Sequence, residues 1–357
     1  MLAWIVGPSG RFDTGVAKYS FELVSALKKL CHLEIELVYL DDKGKPNSLR
    51  RYMWQFIYLP VWFMFKKNKE DVVIYQEAFS HISFFRIFSK KKTIVIIHHV
   101  PEVNDNSVKG VYLKILFFIL KKMKNVIYAT PTLFTKDLLS KCMSIPQERI
   151  YVVPNAVSYD VDINLTDATD IKVINDLLEK KKQGYKIALN IGSFEKRKNI
   201  SVLGEALRLL QDEKVYFVKA GFAIDEKIKQ EFDMSMKEYD IDYLLLEKIS
   251  SNLIGKLYQC CDLYLAPATY EGFGRTLVEA QNAECLVLSS SIPAHNEIMA
   301  STSLVVTNYM QPDEWAKAIK LALSKNKIDY DKIIEQGKKN ASRFSPFNVA
   351  KTFMKIL

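Results

Sequence analysis

Short apolar runs alternate with longer stretches of helical period along nearly the whole chain, the βαβ pattern of parallel sheets. In the first half, the runs at 2–6, 33–40, 72–75, 93–98, 126–129 and 150–153 read as strands, with helical patterns such as 16–30 and 111–124 between them. After Pro154-Asn155 the pattern lapses into an acidic, turn-rich stretch at 160–170 and a charged one at 177–182. A second series then begins. Its strands are expected at 187–191, 215–220, 243–246, 263–266 and 286–289, its helices at 201–210, 225–239, 253–260 and 276–283, with more helix beyond Pro312. The predicted fold class is α/β, with two doubly wound Rossmann-like domains facing across a cleft. In such sheets ligands sit beyond the carboxyl ends of the strands, which directs attention to the loops that follow them.

Composition narrows the class. A chain of 357 residues, 49% apolar and 25% charged, can bury two cores and is not a disordered polymer. Its five cysteines form no CxxC pair and have no histidine at zinc-ligand spacing, so neither a disulfide framework nor a structural zinc is expected, and a reduced, cytoplasmic location is. The opening MLAWIVGPSG has no basic n-region and does not read as a secretory signal. The longest apolar runs, 52–65 and 115–120, are shorter than the roughly 20 residues of a membrane span.

The net charge of +9 is lopsided: residues 1–160 carry 23 Lys and Arg against 14 Asp and Glu, whereas the remainder carries 27 of each. The excess collects at Arg50-Arg51, Lys66-Lys67-Lys69, Lys90-Lys91-Lys92 and Lys121-Lys122-Lys124, flanking the aromatic and aliphatic stretches 52–65, 82–88 and 111–120. Basic ends on an apolar segment suit a helix lying at an anionic bilayer surface. Buried helices with solvated lysine ends would look the same. Nucleic acid is not the expected partner, because the interleaved residues are mostly aliphatic and no nucleic-acid module is present.

Four strand ends carry candidate chemistry. The glycine-bearing loop Gly7-Pro8-Ser9-Gly10…Thr14-Gly15 opens a helix and would let backbone approach a phosphate, although it is neither GxGxxG nor a Walker sequence and also reads as a plain turn. The run Ile94–Ile97 is followed by His98-His99, of which at most one faces the cleft; either is also an ordinary core histidine. In Gly192-Ser193-Phe194-Glu195-Lys196-Arg197-Lys198-Asn199, two cations precede a helix N-terminus, a diphosphate site if not simply a solvated basic loop. Finally, Glu271-Gly272-Phe273-Gly274-Arg275-Thr276 turns from a strand into a helix whose first amides can meet phosphate or sugar oxygens, and Glu271 and Glu279 suit a polyol.

These residues resemble the group 1 (family 4) retaining glycosyltransferases of GT-B fold. The Glu271-Gly272-Phe273-Gly274…Glu279-Ala280 segment is the family's most specific motif, 190–199 is similar to its phosphate-binding strand and loop, and 129–156 to the end of its first domain. The resemblance implies an acceptor-binding domain over 1–160, a linker at 161–184, a nucleotide-sugar-binding domain over 185–340, and a C-terminal helix at 341–357 packing back on the first domain. It implies that Glu271 sits by the donor sugar, Glu279 holds the ribose, Arg197 and Lys198 neutralise the departing diphosphate, and the 272–276 amides assist. Gly15 would admit the donor phosphates and His98 would lie near the reacting centre. Ser193 stands where many members have a basic residue, which passes that duty to Arg197, while Ala156, Glu284 and Leu286 replace a usual Gly, Gly and Pro.

The implied reaction is transfer of a sugar from a nucleoside-diphosphate donor to an acceptor hydroxyl, with retained configuration and no metal. The DxD triplets at 160–162, 240–242 and 329–331 lie at no predicted active-site loop. With a basic first domain, the expected acceptor is a lipid-linked oligosaccharide of a bacterial surface polysaccharide at the inner face of the cytoplasmic membrane. A catalytically silent partner-binding paralogue and a sugar-nucleotide epimerase remain alternatives at this point.

Overall fold

The computed structural model describes residues 2–9, 15–41, 48–66, 71–86, 90–100, 108–159, 163–247, 249–324 and 330–357. The chain divides into one unit of Met1–Val157 with Phe344–Leu357 and another of Ser158–Arg343.

The first unit holds a parallel sheet in the order β2-β1-β3-β4-β5-β6, with β1 Leu2–Pro8, β2 Ile35–Leu40, β3 Val72–Gln76, β4 Lys92–Ile96, β5 Val126–Thr130 and β6 Ile150–Val152. Residues 2–7 of β1 are buried or nearly so on both faces, as a central parallel strand requires. Helix α1 (Gly15–Cys31) lays Ala17, Leu23, Val24 and Leu27 on the sheet. Helix α2 (Ser48–Met53) runs through a π-helical turn at Trp54–Tyr58 into α3 (Leu59–Lys66); α4 (Val108–Leu120) and α5 (Leu133–Met143) follow. The Thr132 hydroxyl accepts from the Thr135 amide at 3.0 Å and starts α5, which the sequence pattern did not mark. No helix among the described residues is long and apolar enough to cross a membrane.

The second unit has a parallel sheet in the order β12-β11-β10-β7-β8-β9: β7 Lys186–Ile191, β8 Val215–Ala220, β9 Tyr243–Leu246, β10 Leu263–Ala266, β11 Val287–Ser290 and β12 Leu304–Val306. Helices α6 (Ala168–Lys182), α7 (Ile200–Arg208), α8 (Glu226–Glu238), α9 (Ser251–Cys260), α10 (Arg275–Asn282), α11 (Pro293–Met299), α12 (Pro312–Ser324) and α13 (Asp331–Ala341) flank it. Most of the 161–184 stretch expected as a linker is α6. Asp167 caps it by accepting from the Thr169 and Asp170 amides, and Lys181 ties it to Asp262 at 3.1 Å within the second unit. Only Leu177 of α6 is fully buried, which is why its helical period is faint in the sequence.

The chain returns to the first unit as α14 (Pro346–Met354), where Val349, Ala350 and Phe353 join the core of β1 and α1, and the Phe353 ring lies 5.3 Å from that of Trp4. Of the apolar stretch 82–88, which read either as a bilayer-surface or as a buried helix, residues 82–86 end a 3₁₀ segment, Glu77–Arg86, in which Phe79 and Ile82 are buried; 87 and 88 lie outside the described residues.

Candidate active site

In the second unit the chain runs outward from β7 through β8 to β9, then crosses back to β10 on the other side of β7. The topological switch point therefore falls between β7 and β10, the place where ligands bind in sheets of this kind. The loops leaving their carboxyl ends are 192–199 and 267–274, the two that carry the charged motifs. They are laced together: the Thr269 amide donates to the Arg197 carbonyl at 2.8 Å, and the Asn190 side chain donates to Leu265 O at 2.8 Å.

Glu271 is buried, 8% exposed, between two cations: Arg197 Nη1 donates to its Oε2 at 2.8 Å and Lys198 Nζ to its Oε1. Burial opposes the carboxylate's charge, but Lys198 and Arg197 more than offset it and hold its pKa down to about 2. Arg197 also makes a two-point contact to Glu195, Nη2 to Oε1 at 2.8 Å and Nε to Oε2 at 3.0 Å, and Ser193 Oγ donates to the same carboxylate at 2.6 Å. Glu195, Arg197, Lys198 and Glu271 thus form one network of two positive and two negative groups.

A second pair sits on α10. Arg275 Nε donates to Glu279 Oε1 at 2.8 Å, and the Tyr258 hydroxyl donates to Glu279 Oε2 at 3.2 Å. Tyr264 on β10 donates to Ile191 O, at the end of β7, at 3.2 Å. Gly272 and Phe273 are buried in the turn. Gly274 caps α10 at φ +96°, where a Cβ would lie 2.8 Å from Leu277 Cδ1 and 3.3 Å from His295 Cδ2. Gly274→Ala is therefore expected to destabilise the fold by about 2–4 kcal/mol, combining left-handed backbone strain with overpacking. Urea denaturation followed by circular dichroism reads this directly.

Sequence reasoning passed over His295, on α11. It is buried, with Nδ1 3.2 Å from both the carbonyl and the hydroxyl oxygen of Ser290, while that hydroxyl donates to Ala268 O. Burial pulls its pKa down to about 4, so it is neutral at pH 7 and holds the 267–274 loop through Ser290. The sequence signal was a lone histidine just after Pro293 at a helix start.

His98 and Gly15 belong to the first unit. Gly15 is the first residue of α1; Gly10 and Thr14 of the expected loop lie outside the described residues. His98 falls two residues beyond β4 rather than at its last position, because the ladder ends at Ile96. It is 4% exposed, its amide donates to Glu77 Oε2 at 3.5 Å, and its ring meets Tyr19 edge-on at 5.1 Å. Its Nε2 is buried without a hydrogen-bond partner, and burial, aided by His99, lowers its pKa to about 3. Of the DxD triplets, Asp242 is engaged by Tyr185 at 2.7 Å and Lys180 at 3.3 Å near the amino end of β9, away from the β7–β10 loops; residues 160–162 and 329 lie outside the described residues.

Two Rossmann-like units, the second with a clustered Arg-Lys-Glu set at its switch point and a glutamate inside the following helix, make up an architecture of the GT-B fold. Residues 176–340, within the second unit, match the family model for glycosyl transferases group 1. The chain is 22% identical over 343 residues to the O-antigen chain mannosyltransferase RfbU of Salmonella typhimurium, covering 87% of this chain and 88% of that protein. It is 24% identical over 273 residues to the alpha-1,3/1,6-mannosyltransferase ALG2 of Homo sapiens, covering 69% and 63% respectively. Among solved structures, Anabaena Alr3699/HepE in complex with UDP and glucose superposes with a TM-score of 0.77 at 14% identity, over 100% of this chain and 99% of that one.

Proposed function

We propose that the protein transfers a sugar from a nucleoside-diphosphate sugar to an acceptor hydroxyl, with retention of anomeric configuration and without a metal. The observation that carries this reading is the half-buried Arg197–Glu271–Lys198 cluster at the switch point, beside the N-terminus of α10. When the glycosidic bond to the donor breaks, negative charge develops on the departing diphosphate. Fixed cations and helix-start amides aimed at that charge stabilise the transition state more than the ground state.

In this mechanism Arg197 and Lys198, anchored on Glu271, meet the diphosphate, with Ser193 and the 272–276 backbone, Gly272, Phe273, Gly274, Arg275 and Thr276, completing the phosphate cradle. Glu271, kept ionised, hydrogen-bonds the donor sugar's hydroxyls, and Glu279, oriented by Tyr258 and Arg275, accepts from the ribose. Gly15, at the start of α1, is assigned to the donor phosphates, and His98, whose Nε2 has no hydrogen-bond partner, to the donor sugar. The donor phosphate itself takes the acceptor's proton, so no protein base is required.

The acceptor is proposed to be a lipid-linked saccharide of a bacterial surface polysaccharide, a reading supported by the likeness to an O-antigen chain mannosyltransferase. The nucleotide-sugar donor is likewise supported by the UDP and glucose named for the Anabaena structure. In the first unit, α2, the π-turn and α3 expose Leu49, Tyr52, Phe56, Ile57, Met64 and Phe65 beside Arg50 and Arg51, a chemistry suited to an anionic bilayer. The protein then works peripherally on the cytoplasmic membrane face.

Thermal-shift screening against UDP, GDP, ADP, CMP and their sugar conjugates tests the donor assignment. One nucleoside diphosphate at a hundredfold excess over its Kd should add about 2.7 kcal/mol to stability. No shift with any nucleotide, from folded protein, would sink the transferase reading and leave a silent partner-binding paralogue. Liposome flotation at low salt tests the membrane part: recovery should favour anionic over neutral vesicles, and equal recovery removes it.

A further inference from the structure

Lys219 lies inside β8, one residue from its end, in an otherwise apolar strand; it pairs in register with Asn190 of β7 and is 1% exposed. Its ammonium donates to the Gly192 carbonyl and, at 3.3 Å, to Ala220 O, and it stands 4.5 Å from the centre of the Phe194 ring. Among the described residues, no carboxylate pairs with it. Gly192 is the first residue of the loop that carries Arg197 and Lys198, and the aliphatic stem of Lys198 runs along it: a Cβ on Gly192 would lie 3.8–3.9 Å from Lys198 Cδ, Cε and Nζ. Gly221, at φ +140°, makes the arrangement possible, since a Cβ there would fall 2.0 Å from the Gly192 oxygen. Gly192 therefore has Lys219 on its carbonyl oxygen and the side chain of Lys198 beside its α-carbon.

The charge arithmetic around this loop explains why such a group would be kept. Arg197 and Lys198 are matched by Glu195 and Glu271, so the visible cluster is neutral. A nucleoside diphosphate needs a surplus of positive charge, and a cation buried in low dielectric without a counter-ion is felt more strongly than one in water. Burying it that way costs stability, which favours a functional explanation over a packing one.

We propose that Lys219 is a positioning residue for diphosphate binding: from behind the loop it fixes the Gly192 carbonyl and supplies the positive charge that Arg197 and Lys198 share with Glu195 and Glu271. The inference rests on the donor-site reading above. The groups that act on its titration are Lys198, facing it across Gly192, and through Lys198 the rest of the network, Arg197, Glu195 and Glu271; His295 is neutral. Burial first, and then the charge of Lys198, bring its pKa down to about 7. A bound diphosphate would raise it again, so binding draws a proton onto the amine, and affinity falls as pH rises past neutrality.

Isothermal titration with UDP and with GDP, on wild type, Lys198→Ala and Lys219→Met, separates the possibilities. The expected result is that Lys219→Met remains folded by circular dichroism, binds the preferred nucleotide roughly tenfold more weakly near pH 6.5, and loses most of the wild type's decline toward pH 8.5. Equal affinity and a parallel pH profile in Lys219→Met overturn the inference while leaving the donor site intact. Absence of binding by wild type, or binding unaffected in Lys198→Ala, overturns the donor-site reading and this inference with it. Should Lys219→Met not fold, wild type alone decides: near pH 8, above the titration of free nucleotide, titration in two buffers of different ionisation enthalpy must show net proton uptake on binding. No uptake overturns the proposal.

Discussion

Lys198→Ala is expected to lower turnover by about 10²–10³-fold and to remove the thermal stabilisation given by the preferred nucleoside diphosphate. The size follows from position. The ammonium is partly buried, with 23% of its side chain exposed, and reaches a carboxylate at the strand switch point, so its field is only weakly screened by solvent. It stands where leaving-group charge would develop, and that interaction strengthens as the bond breaks, so most of the loss should appear in kcat. The fold should tolerate the change, because Glu271 keeps the Arg197 contact at 2.8 Å. Steady-state kinetics with saturating donor reads the effect; a mutant with near-normal kcat would place the diphosphate elsewhere.

Glu271→Gln should be costly in both stability and activity. The amide can accept from only one cation, so the other is left facing a poor partner in a half-buried site. Removing one member of a fully buried ion pair costs about 3–5 kcal/mol; with Arg197 and Lys198 partly exposed, about 1–3 kcal/mol is expected here at pH 7. Its pH dependence has a definite sign. The folded-state pKa is depressed to about 2, so the carboxylate's contribution is fully present above its ordinary value of 4.5 and is lost as pH falls from there toward 2. The stability gap between wild type and Glu271→Gln should accordingly be flat from pH 7 to about 5 and narrow below it, measured by urea midpoints at each pH. A gap that widened in acid would mean that Glu271 is not the ionised partner of the two cations. Turnover should fall by at least about 10²-fold, because both cations would lose their common anchor.

Particular elements show what could be read in advance. The buried strands β1, β7 and β8 stood out because a parallel strand covered on both faces is a continuous apolar run, and α7 because Ile200, Leu203 and Leu207 repeat at helical spacing. Helix α6 did not, because its capping aspartate and terminal lysines give a local signal without an apolar stripe. β12 and α11 are short, three and seven residues, and too brief to establish a period. Among the residues proposed for the site, Arg197, Lys198 and Glu271 could be singled out because each sits in a loop that follows a strand, and Glu279 because it lies one turn into the helix that comes next. His295 and Lys219 were not, since nothing local distinguishes a functional buried histidine or lysine from one held for packing.

The amino-acid sequence by itself determined the alternation of strands and helices, the uneven charge, and the two loops that bear the charged motifs. These are properties of neighbouring residues, where spacing and side-chain type act over one or two turns. Only the tertiary structure decided that Glu271 is shared between Arg197 and Lys198, and that Lys219 stands behind Gly192. Those contacts join residues 27 to 74 positions apart, brought together because β7 lies between β8 and β10 in the sheet, and strand order is a property of the packed core rather than of any local segment.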